Sequence, residues 1–246
     1  MDRMIYTAMT GAKHILEQQA TNSHNLANAT STGFRAQVDS FRAVPVVGPG
    51  LPTRTMVVDS TVAADFTPGA IQTTGRTLDI AVEGKGWLAV SRPDGSEAYT
   101  RNGAFELNEN GMLQTATGMM VMGDGGPISI PPDASITIAK DGTISSVSKA
   151  DTNAAVNIIG RLKLVNPPES SLVRGGDGLF QLQNGQPAEA DANVSIVSGA
   201  LESSNVNVID AMVNMISLAR QFDTQMKLMQ NAENNASKAS QIFNLS

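Results

Sequence analysis

Few side chains in this sequence have the type and spacing that catalysis or metal binding requires. The 246 residues include no cysteine, and the only histidines, His14 and His24, lie ten residues apart. Without cysteine there is no disulfide framework, no thiol nucleophile and no thiolate metal site. Histidines ten residues apart do not form the i, i+4 pair that a helix offers to zinc. We therefore expect no metal or cofactor site, and a solvated or interface position for both histidines.

Acidic side chains are frequent in residues 79–109, and two carboxylates are the minimum for glycoside hydrolysis. These residues are Asp79, Glu83, Asp94, Glu97, Glu106 and Glu109. Their separation in sequence does not show whether any two face one cleft, and solvated strand and turn residues give the same pattern. A peptidoglycan hydrolase is thus an open interpretation, but we expect no enzyme activity.

Residues 84–89 (GKGWLA) fit the loose dinucleotide-binding pattern G-x-G-x-x-A. In a true fingerprint the glycines open a helix whose N-terminus holds the pyrophosphate. Here the chain reaches Pro93 and a tight-turn dipeptide within a few residues, so no helix fits. We expect the glycines to form a turn between strands and Trp87 to anchor a hydrophobic core.

The charge pattern excludes other function classes. The 17 basic and 23 acidic residues give a net charge of −6 without a basic run, which predicts no nucleic-acid binding. No window approaches the 18 apolar residues of a membrane span, so we expect no direct membrane insertion. Charged residues interrupt any apolar N-terminal segment, so the sequence predicts no ordinary secretory signal.

Glycine and proline divide the chain into helical ends and a non-helical middle. All 11 prolines lie in residues 45–187, and every glycine except Gly11 lies in residues 33–199. Both residue types disfavour helix interiors. Long helices are therefore predicted at about 1–30 and 202–246.

Both predicted helices carry seam positions spaced alternately three and four residues apart. In the N-terminal helix they are Ile5, Ala8, Ala12, Ile15, Gln19, Asn22, Leu26 and Ala29. In the C-terminal helix they are Met212, Met215, Ala219, Phe222, Met226, Met229, Glu233, Ala236, Ser240 and Phe243. Met9 and Leu16 widen the first stripe. This repeat indicates a coiled-coil seam, and it favours pairing of the two ends and contacts with other subunits. The alternative is that each helix packs only on its own domain.

Asparagines recur every third residue at Asn22, Asn25 and Asn28. They share roughly one face of the N-terminal helix. Two interpretations remain open, a solvated face with a turn-prone end or hydrogen bonds to neighbouring subunits.

The middle of the chain is predicted to be a β-domain over residues 76–200. Asp-Gly and Asn-Gly dipeptides, which favour tight turns, begin at residues 94, 102, 110, 141, 177 and 184. Short strands are predicted between them, among them 87–91, 112–115, 128–130 and 195–198. Residues 36–75 contain four prolines and little helical period, which predicts an extended connector.

Several strings resemble the bacterial flagellar rod and hook proteins. Residues 25–28 (NLAN) and 32–35 (TGFR) resemble the family signature after the first helix. Residues 77–87 and 99–103 are similar to the opening of the shared β-domain, and residues 199–222 to the start of the C-terminal helix. The signature residues are Asn25, Leu26, Ala27, Asn28, Thr32, Gly33 and Phe34.

Within the family, residues 1–9, 34–37, 42–46 and 51–55 resemble the proximal rod members most. The distal rod member is the alternative, although it usually has two phenylalanines where this chain has Trp87-Leu88. A hook subunit has a much longer middle. Outside the family, a β-rich adhesin or binding module with helical flanks is a further alternative.

The resemblance implies an α+β structural subunit that polymerises into the rod, the drive shaft that transmits motor torque for motility. It implies an inner domain of paired coiled-coil helices, 1–35 and 201–246, with the connector 36–75 and the β-domain 76–200. Implied partners are other rod proteins, further copies of this chain and the flagellar type III export apparatus; the implied location is the basal-body rod in the periplasm. The expected assembly interface consists of Ile5, Ala8, Ala12, Ile15, Leu26, Met212, Met215, Ala219, Phe222, Met226, Met229 and Phe243.

Overall fold

The computed structural model is an α+β fold with a central antiparallel β-rich region and two long helices. It describes residues 2–45, 55–132, 134–148 and 155–243. The chain divides into two compact units. The helical unit comprises residues 1–29, 36–65 and 206–246, and the β-unit comprises residues 30–35 and 66–205.

Two helices form at the predicted ends of the chain. Helix α1 spans Asp2–Ala27 and helix α2 spans Val208–Phe243. The side-chain oxygen of Asn207 caps α2, because it accepts a hydrogen bond from the backbone N–H of Ile209 at 3.0 Å. Among the described residues, neither helix is apolar enough over 18 residues to cross a bilayer.

The helical unit also contains a β-hairpin in the segment that was expected to be a connector. Strand β1 (Gln37–Pro45) pairs antiparallel with β2 (Thr55–Ala64). The expectation of an extended connector over 36–75 therefore differs from the structure: residues 37–45 and 55–64 pair in this hairpin, and residues 66–75 lie in the β-unit. Pro45 is compatible with the hairpin because it is the last residue of its strand, where a missing N–H is tolerated.

In its described residues the β-unit contains sixteen further short strands, which form antiparallel pairs. The first eight are β3 (Ile71–Thr73), β4 (Ile80–Glu83), β5 (Trp87–Ser91), β6 (Glu97–Thr100), β7 (Phe105–Leu107), β8 (Leu113–Thr115), β9 (Met120–Gly123) and β10 (Gly126–Pro127). The last eight are β11 (Ala134–Ile138), β12 (Thr143–Ser148), β13 (Asn157–Arg161), β14 (Leu164–Val165), β15 (Leu172–Arg174), β16 (Phe180–Leu182), β17 (Ser195–Ser198) and β18 (Ala200–Glu202).

A nine-stranded sheet forms the main layer of the β-unit, and its central path runs β15-β16-β6-β5-β9-β8-β7. A three-stranded sheet, β11-β12-β13, packs its apolar side chains into the same core. The last two strands of the β-unit pair with its first two: β17 pairs with β4, and β18 pairs with β3. The core is aliphatic with one fully buried phenylalanine, Phe105.

The strand predictions agree with the structure best where a tight turn flanks a β-branched or aromatic run. Strand β5 has the predicted bounds, and its Trp87 is buried with its ring centroid 4.7 Å from that of Phe180. Residues 128–130 were predicted as a strand, but the structure has only an isolated bridge there, at Ser129. The loop between β4 and β5 has positive φ at Gly84 and Gly86, as expected for a turn and not for a nucleotide-binding helix.

Candidate assembly interface

Helices α1 and α2 pack against each other in the helical unit and run antiparallel. The side-chain amide of Asn22 donates to the carbonyl of Ala211 at 2.7 Å, and near the middle of each helix the side chain of Gln225 lies beside Gly11. Because the earlier of these α1 residues meets the later of these α2 residues, the two helices run in opposite directions. Gly11 lacks a side chain where the helices approach, so it leaves room for Gln225.

On α1 the seam predicted from sequence is the less exposed face of the helix. Ala8, Ala12 and Ile15 are buried, and Ile5 and Leu26 are half-buried. Met9 and Leu16, which were expected to widen the stripe, are instead half exposed, at 52% and 51%.

On α2 the predicted seam is only half correct. Met215, Phe222 and Met229 are half-buried, but Met212, Ala219 and Met226 are exposed. The positions that complete the low-exposure face are Ala211, Leu218, Gln225 and Ala232. Both choices keep the alternating spacing and share every seventh residue, so the repeat alone did not distinguish them. The side chain of Phe243 lies outside the described residues.

Once the helices are paired, two apolar patches remain exposed. The α2 patch consists of Ile209, Met212, Val213 and Ile216, which are between 51% and 73% exposed. At about 100° per residue these side chains lie on the side of α2 opposite its low-exposure face. The α1 patch consists of Tyr6, Met9 and Leu16, each slightly more than half exposed. Farther along α2 the same outer side becomes charged, with Arg220, Asp223 and Lys227.

Asn22, Asn25 and Asn28 make hydrogen bonds within the chain; the first two lie in α1 and Asn28 lies in the turn that follows it. Asn25 behaves as a strand partner for Gln37: its side-chain amide donates to the Gln37 carbonyl and its oxygen accepts from the Gln37 N–H, both at 2.8 Å. The Asn28 side chain donates to the carbonyl of His24 at 2.9 Å. The signature asparagine at position 25 thus fixes where β1 begins on α1.

The rest of the hairpin is held on α1 by two further polar contacts. The Thr21 hydroxyl donates to Asp39 at 2.7 Å. The Nε2 atom of His14 lies 2.8 Å from the carbonyl of Val57, and the imidazole ring packs edge-on against Phe41. His14 therefore has a structural position in the helical unit.

Replacing Asn25 with alanine is expected to loosen the start of β1 and to destabilise the helical unit. Two hydrogen bonds to backbone groups are lost, which corresponds to about 1–3 kcal/mol. Hydrogen–deuterium exchange of the full chain should show faster exchange in residues 37–41. Asn231→Ala, at an exposed position of α2, is the matched control. Equal exchange of residues 37–41 in wild type and Asn25→Ala would contradict the assigned role.

The second half of the signature, 32–35, lies in the β-unit and approaches two distant segments. Gly33 has φ +67°, and a Cβ atom there would lie 2.3 Å from the carbonyl carbon of Arg101. The N–H of Gly33 donates to the carbonyl of Glu202 at 2.8 Å. Phe34 is buried, with the Arg174 guanidinium 4.5 Å from its ring centroid. Only glycine fits at position 33, because both the left-handed backbone and the close approach exclude a side chain.

Arg35, Arg101 and Glu202 form a buried ionic cluster in the β-unit. The Glu202 carboxylate lies 2.7 Å from Nη1 of Arg35 and 3.0 Å from Nη1 of Arg101, and all three side chains are at least 96% buried. Arg101 also donates to the carbonyl of Gly84 at 2.6 Å. Burial lowers the pKa of Arg101, while the charge of Glu202 opposes that shift. Each of these residues lies in a string that carries the family resemblance, but sequence reasoning did not predict that they meet.

Three of the acidic residues of 79–109 are ion-paired in the structure. Asp79 is held by Arg76, Glu83 by Lys140, and Glu97 by Lys163. The hydrogen bond from Lys140 is the main reason that the pKa of Glu83 lies below its ordinary value. Across the described ranges, no three His, Asp or Glu side chains come together in a group that could hold a metal ion.

A groove of about 590 Å³ lies in the helical unit between α1, β2 and α2. Its walls are small or apolar side chains such as Ala8, Gly11, Met56 and Leu228, and His14 is its one titratable group among the described residues. Both ring nitrogens of His14 are engaged within the chain, Nδ1 with the Glu17 carboxylate at 3.0 Å and Nε2 with the Val57 carbonyl at 2.8 Å.

Comparisons with known proteins identify relatives over the full chain. The family model "Flagellar hook protein FlgE/F/G D1 domain" matches residues 81–146, and "Flagellar basal body rod FlgEFG protein C-terminal" matches residues 197–242. The chain is 48% identical to the flagellar basal-body rod protein FlgF of Escherichia coli (strain K12) and 46% identical to that of Salmonella typhimurium (strain LT2), covering all of each protein. It is 31% identical to the rod protein FlgG of Buchnera aphidicola subsp. Acyrthosiphon pisum, over 89% of this chain and 92% of that one.

Proposed function

The chain belongs to the flagellar basal-body rod protein family and is a structural subunit of the flagellar rod, and on this premise we propose that it builds the proximal rod. The FlgF proteins of Escherichia coli and Salmonella typhimurium match it over their full length at 48% and 46% identity, against 31% over 92% of its length for the FlgG protein of Buchnera aphidicola subsp. Acyrthosiphon pisum. The sequence of this chain resembles the proximal rod members of the family most, and this resemblance supports a position in the proximal rod. The distal rod is the alternative within the same family.

The observation that carries the assembly mechanism is the exposed apolar face that remains after α1 and α2 pair. The α2 patch includes Ile209 at 73% exposure and Ile216 at 56%. Because these side chains are already partly covered, burying each one against a neighbour would contribute about 1–2 kcal/mol. We infer that α1 and α2 form a coiled-coil layer and that these patches contact other rod subunits.

The geometry of the two patches favours an open array. The α1 patch and the α2 patch are different surfaces, so docking the α1 patch of one subunit on the α2 patch of the next is a head-to-tail contact. A contact of this kind that does not close into a ring produces a helical assembly. In this proposal the subunits associate with further copies and with other rod proteins.

In this proposal the β-unit gives each subunit stiffness. Its core is closely packed, and packed interiors have low compressibility, which suits a shaft that transmits motor torque. The proposal places the rod in the periplasm and assigns delivery of the subunit to the flagellar type III export apparatus. Both statements follow from the family resemblance and are part of the proposal.

Locating the subunit in isolated basal bodies tests the proposed position. A strain that lacks its own copy is complemented with this chain carrying an epitope tag after Gly118, in an exposed turn of the β-unit, and basal bodies are labelled with gold-conjugated antibody. We expect restored swimming and label at the membrane-proximal end of the rod. Label at the distal end would establish the distal alternative, and normal swimming with no label in basal bodies would contradict a rod function. A strain without the gene that swims normally would favour an adhesin or binding module.

A further inference from the structure

We propose that residues 195–205 act as a strap that closes the β-unit last, and that the buried charge of Glu202 makes the fold depend on this closure. The segment contains β17 and β18, which pair with β4 and β3 near the start of the β-unit. The proposal concerns the folding of the β-unit and does not depend on the rod function.

The strap reaches its partners only over long distances in sequence. The backbone N–H of Gly69 donates to the Glu202 carboxylate at 2.9 Å across 133 residues. In contrast, β5 pairs with β6 and β11 with β12 through short turns. Loop-closure entropy rises with the logarithm of loop length, and non-local contacts form late in folding. The hairpins are therefore expected to form before the strap docks.

Charge explains why an undocked strap leaves the β-unit incomplete. The side chain of Arg35 is fully buried, and among the described residues Glu202 is its one ion-pair partner. The Nε and Nη2 atoms of Arg35 have no hydrogen-bond acceptor within the described ranges. Without Glu202, both arginines of the cluster would be buried with no opposite charge, and guanidinium groups do not lose their proton. The core around Arg35 and Arg101 is thus stable only when Glu202 is in place.

Other contacts of the strap also stabilise the closed β-unit. Ile196 is 1% exposed and belongs to the hydrophobic core, and the carbonyl of Glu202 accepts the N–H of Gly33. A chain that is synthesised or moved N-terminus first would hold an open β-unit until residue 202 became available. The strap thereby couples completion of the fold to completion of most of the chain.

Folding and unfolding kinetics of the full-length protein test the strap. Trp87 is the only tryptophan and lies 5.4 Å from the Arg101 guanidinium, so its fluorescence reports on the β-unit. We expect Glu202→Gln to unfold at least about 100-fold faster in denaturant jumps while its refolding rate stays within about twofold of wild type. Glu109→Gln, an exposed acid in the same unit, should change neither rate by more than about twofold.

A second variant keeps the test decisive if Glu202→Gln does not fold. Ile196→Val removes one methylene from β17 and is expected to accelerate unfolding about fivefold with unchanged refolding. Val90→Ala in β5, which is fully buried outside the strap, is expected to slow refolding. The proposal would be overturned if Glu202→Gln or Ile196→Val slowed refolding by as large a factor as it accelerated unfolding. The strap would then already be docked in the transition state of folding.

Discussion

Cells that depend on an Ile216→Asp variant of this chain are expected to lose swimming, although the purified variant unfolds like wild type. Ile216 is 56% exposed at the C-terminal end of the α2 patch, so the change costs the folded monomer no more than about 0.5 kcal/mol. In the assembled rod the variant would lose the apolar side chain that the neighbouring subunit buries. It would also place a carboxylate in that contact, where no positive charge or hydrogen-bond donor pairs with it. We expect each contact to weaken by at least about 3 kcal/mol, or more than a hundredfold.

The measurements are swimming in soft agar, the amount of the chain in isolated basal bodies, and thermal unfolding by circular dichroism. The matched control is Asn231→Asp, which adds the same charge to α2 where its outer side is already charged. Asn231→Asp should swim and assemble normally. Normal basal bodies and swimming with Ile216→Asp would show that the α2 patch does not contact other subunits.

Replacing Gly33 with alanine is expected to destabilise the β-unit strongly, because backbone strain and steric overlap act together at this position. The left-handed backbone at φ +67° costs alanine about 1–2 kcal/mol. In addition, the new Cβ atom would lie 2.3 Å from the carbonyl carbon of Arg101 and 2.4 Å from the N atom of Asn102. Backbone atoms cannot move aside as a flexible side chain does, so a total loss of at least about 3 kcal/mol is expected.

Gly118→Ala provides the comparison that separates overlap from backbone strain. Gly118 has φ +82°, and no atom lies within 4 Å of its hypothetical Cβ atom, so only the strain of about 1–2 kcal/mol is expected. Denaturant unfolding monitored by Trp87 fluorescence measures both variants. If the two variants lost the same unfolding free energy, the close approach of residue 33 to Arg101 would not be the reason that glycine is required there.

Local patterns predicted the elements whose signals were strong and short in range. The absence of proline and the near absence of glycine predicted α1 and α2, and the turn dipeptides predicted hairpins such as the one that contains Trp87. The hairpin of the helical unit was missed for a physical reason. Its prolines indicated an extended connector, but Pro45 sits at a strand end, and the valine-rich run 57–62 favoured a strand.

Features that depend on tertiary contacts could not be predicted from the sequence. The heptad repeat of α2 allowed either Ala211 or Met212 at the seam, because the apolar stripe is wider than the contact that α1 makes. Likewise, nothing local to Arg35 indicates that its counter-charge is Glu202. The family signature is explained by these contacts: Asn25 fixes the start of β1, Gly33 permits a close approach, and Phe34 packs beneath Arg174.

Cysteine cross-linking in assembled rods tests the head-to-tail contact most directly. The chain has no cysteine, so Met9→Cys and Ile216→Cys introduce the only thiols. Within one chain Gly11 lies beside Gln225, so Met9 and Ile216 lie at different levels of the helix pair and cannot reach disulfide distance. Mild oxidation of basal bodies carrying both changes should give a ladder of disulfide-linked subunits, while Met9→Cys alone and Ile216→Cys alone give no ladder. Basal bodies that contain the doubly changed chain at normal levels but yield only monomer would contradict the contact between the α1 patch and the α2 patch.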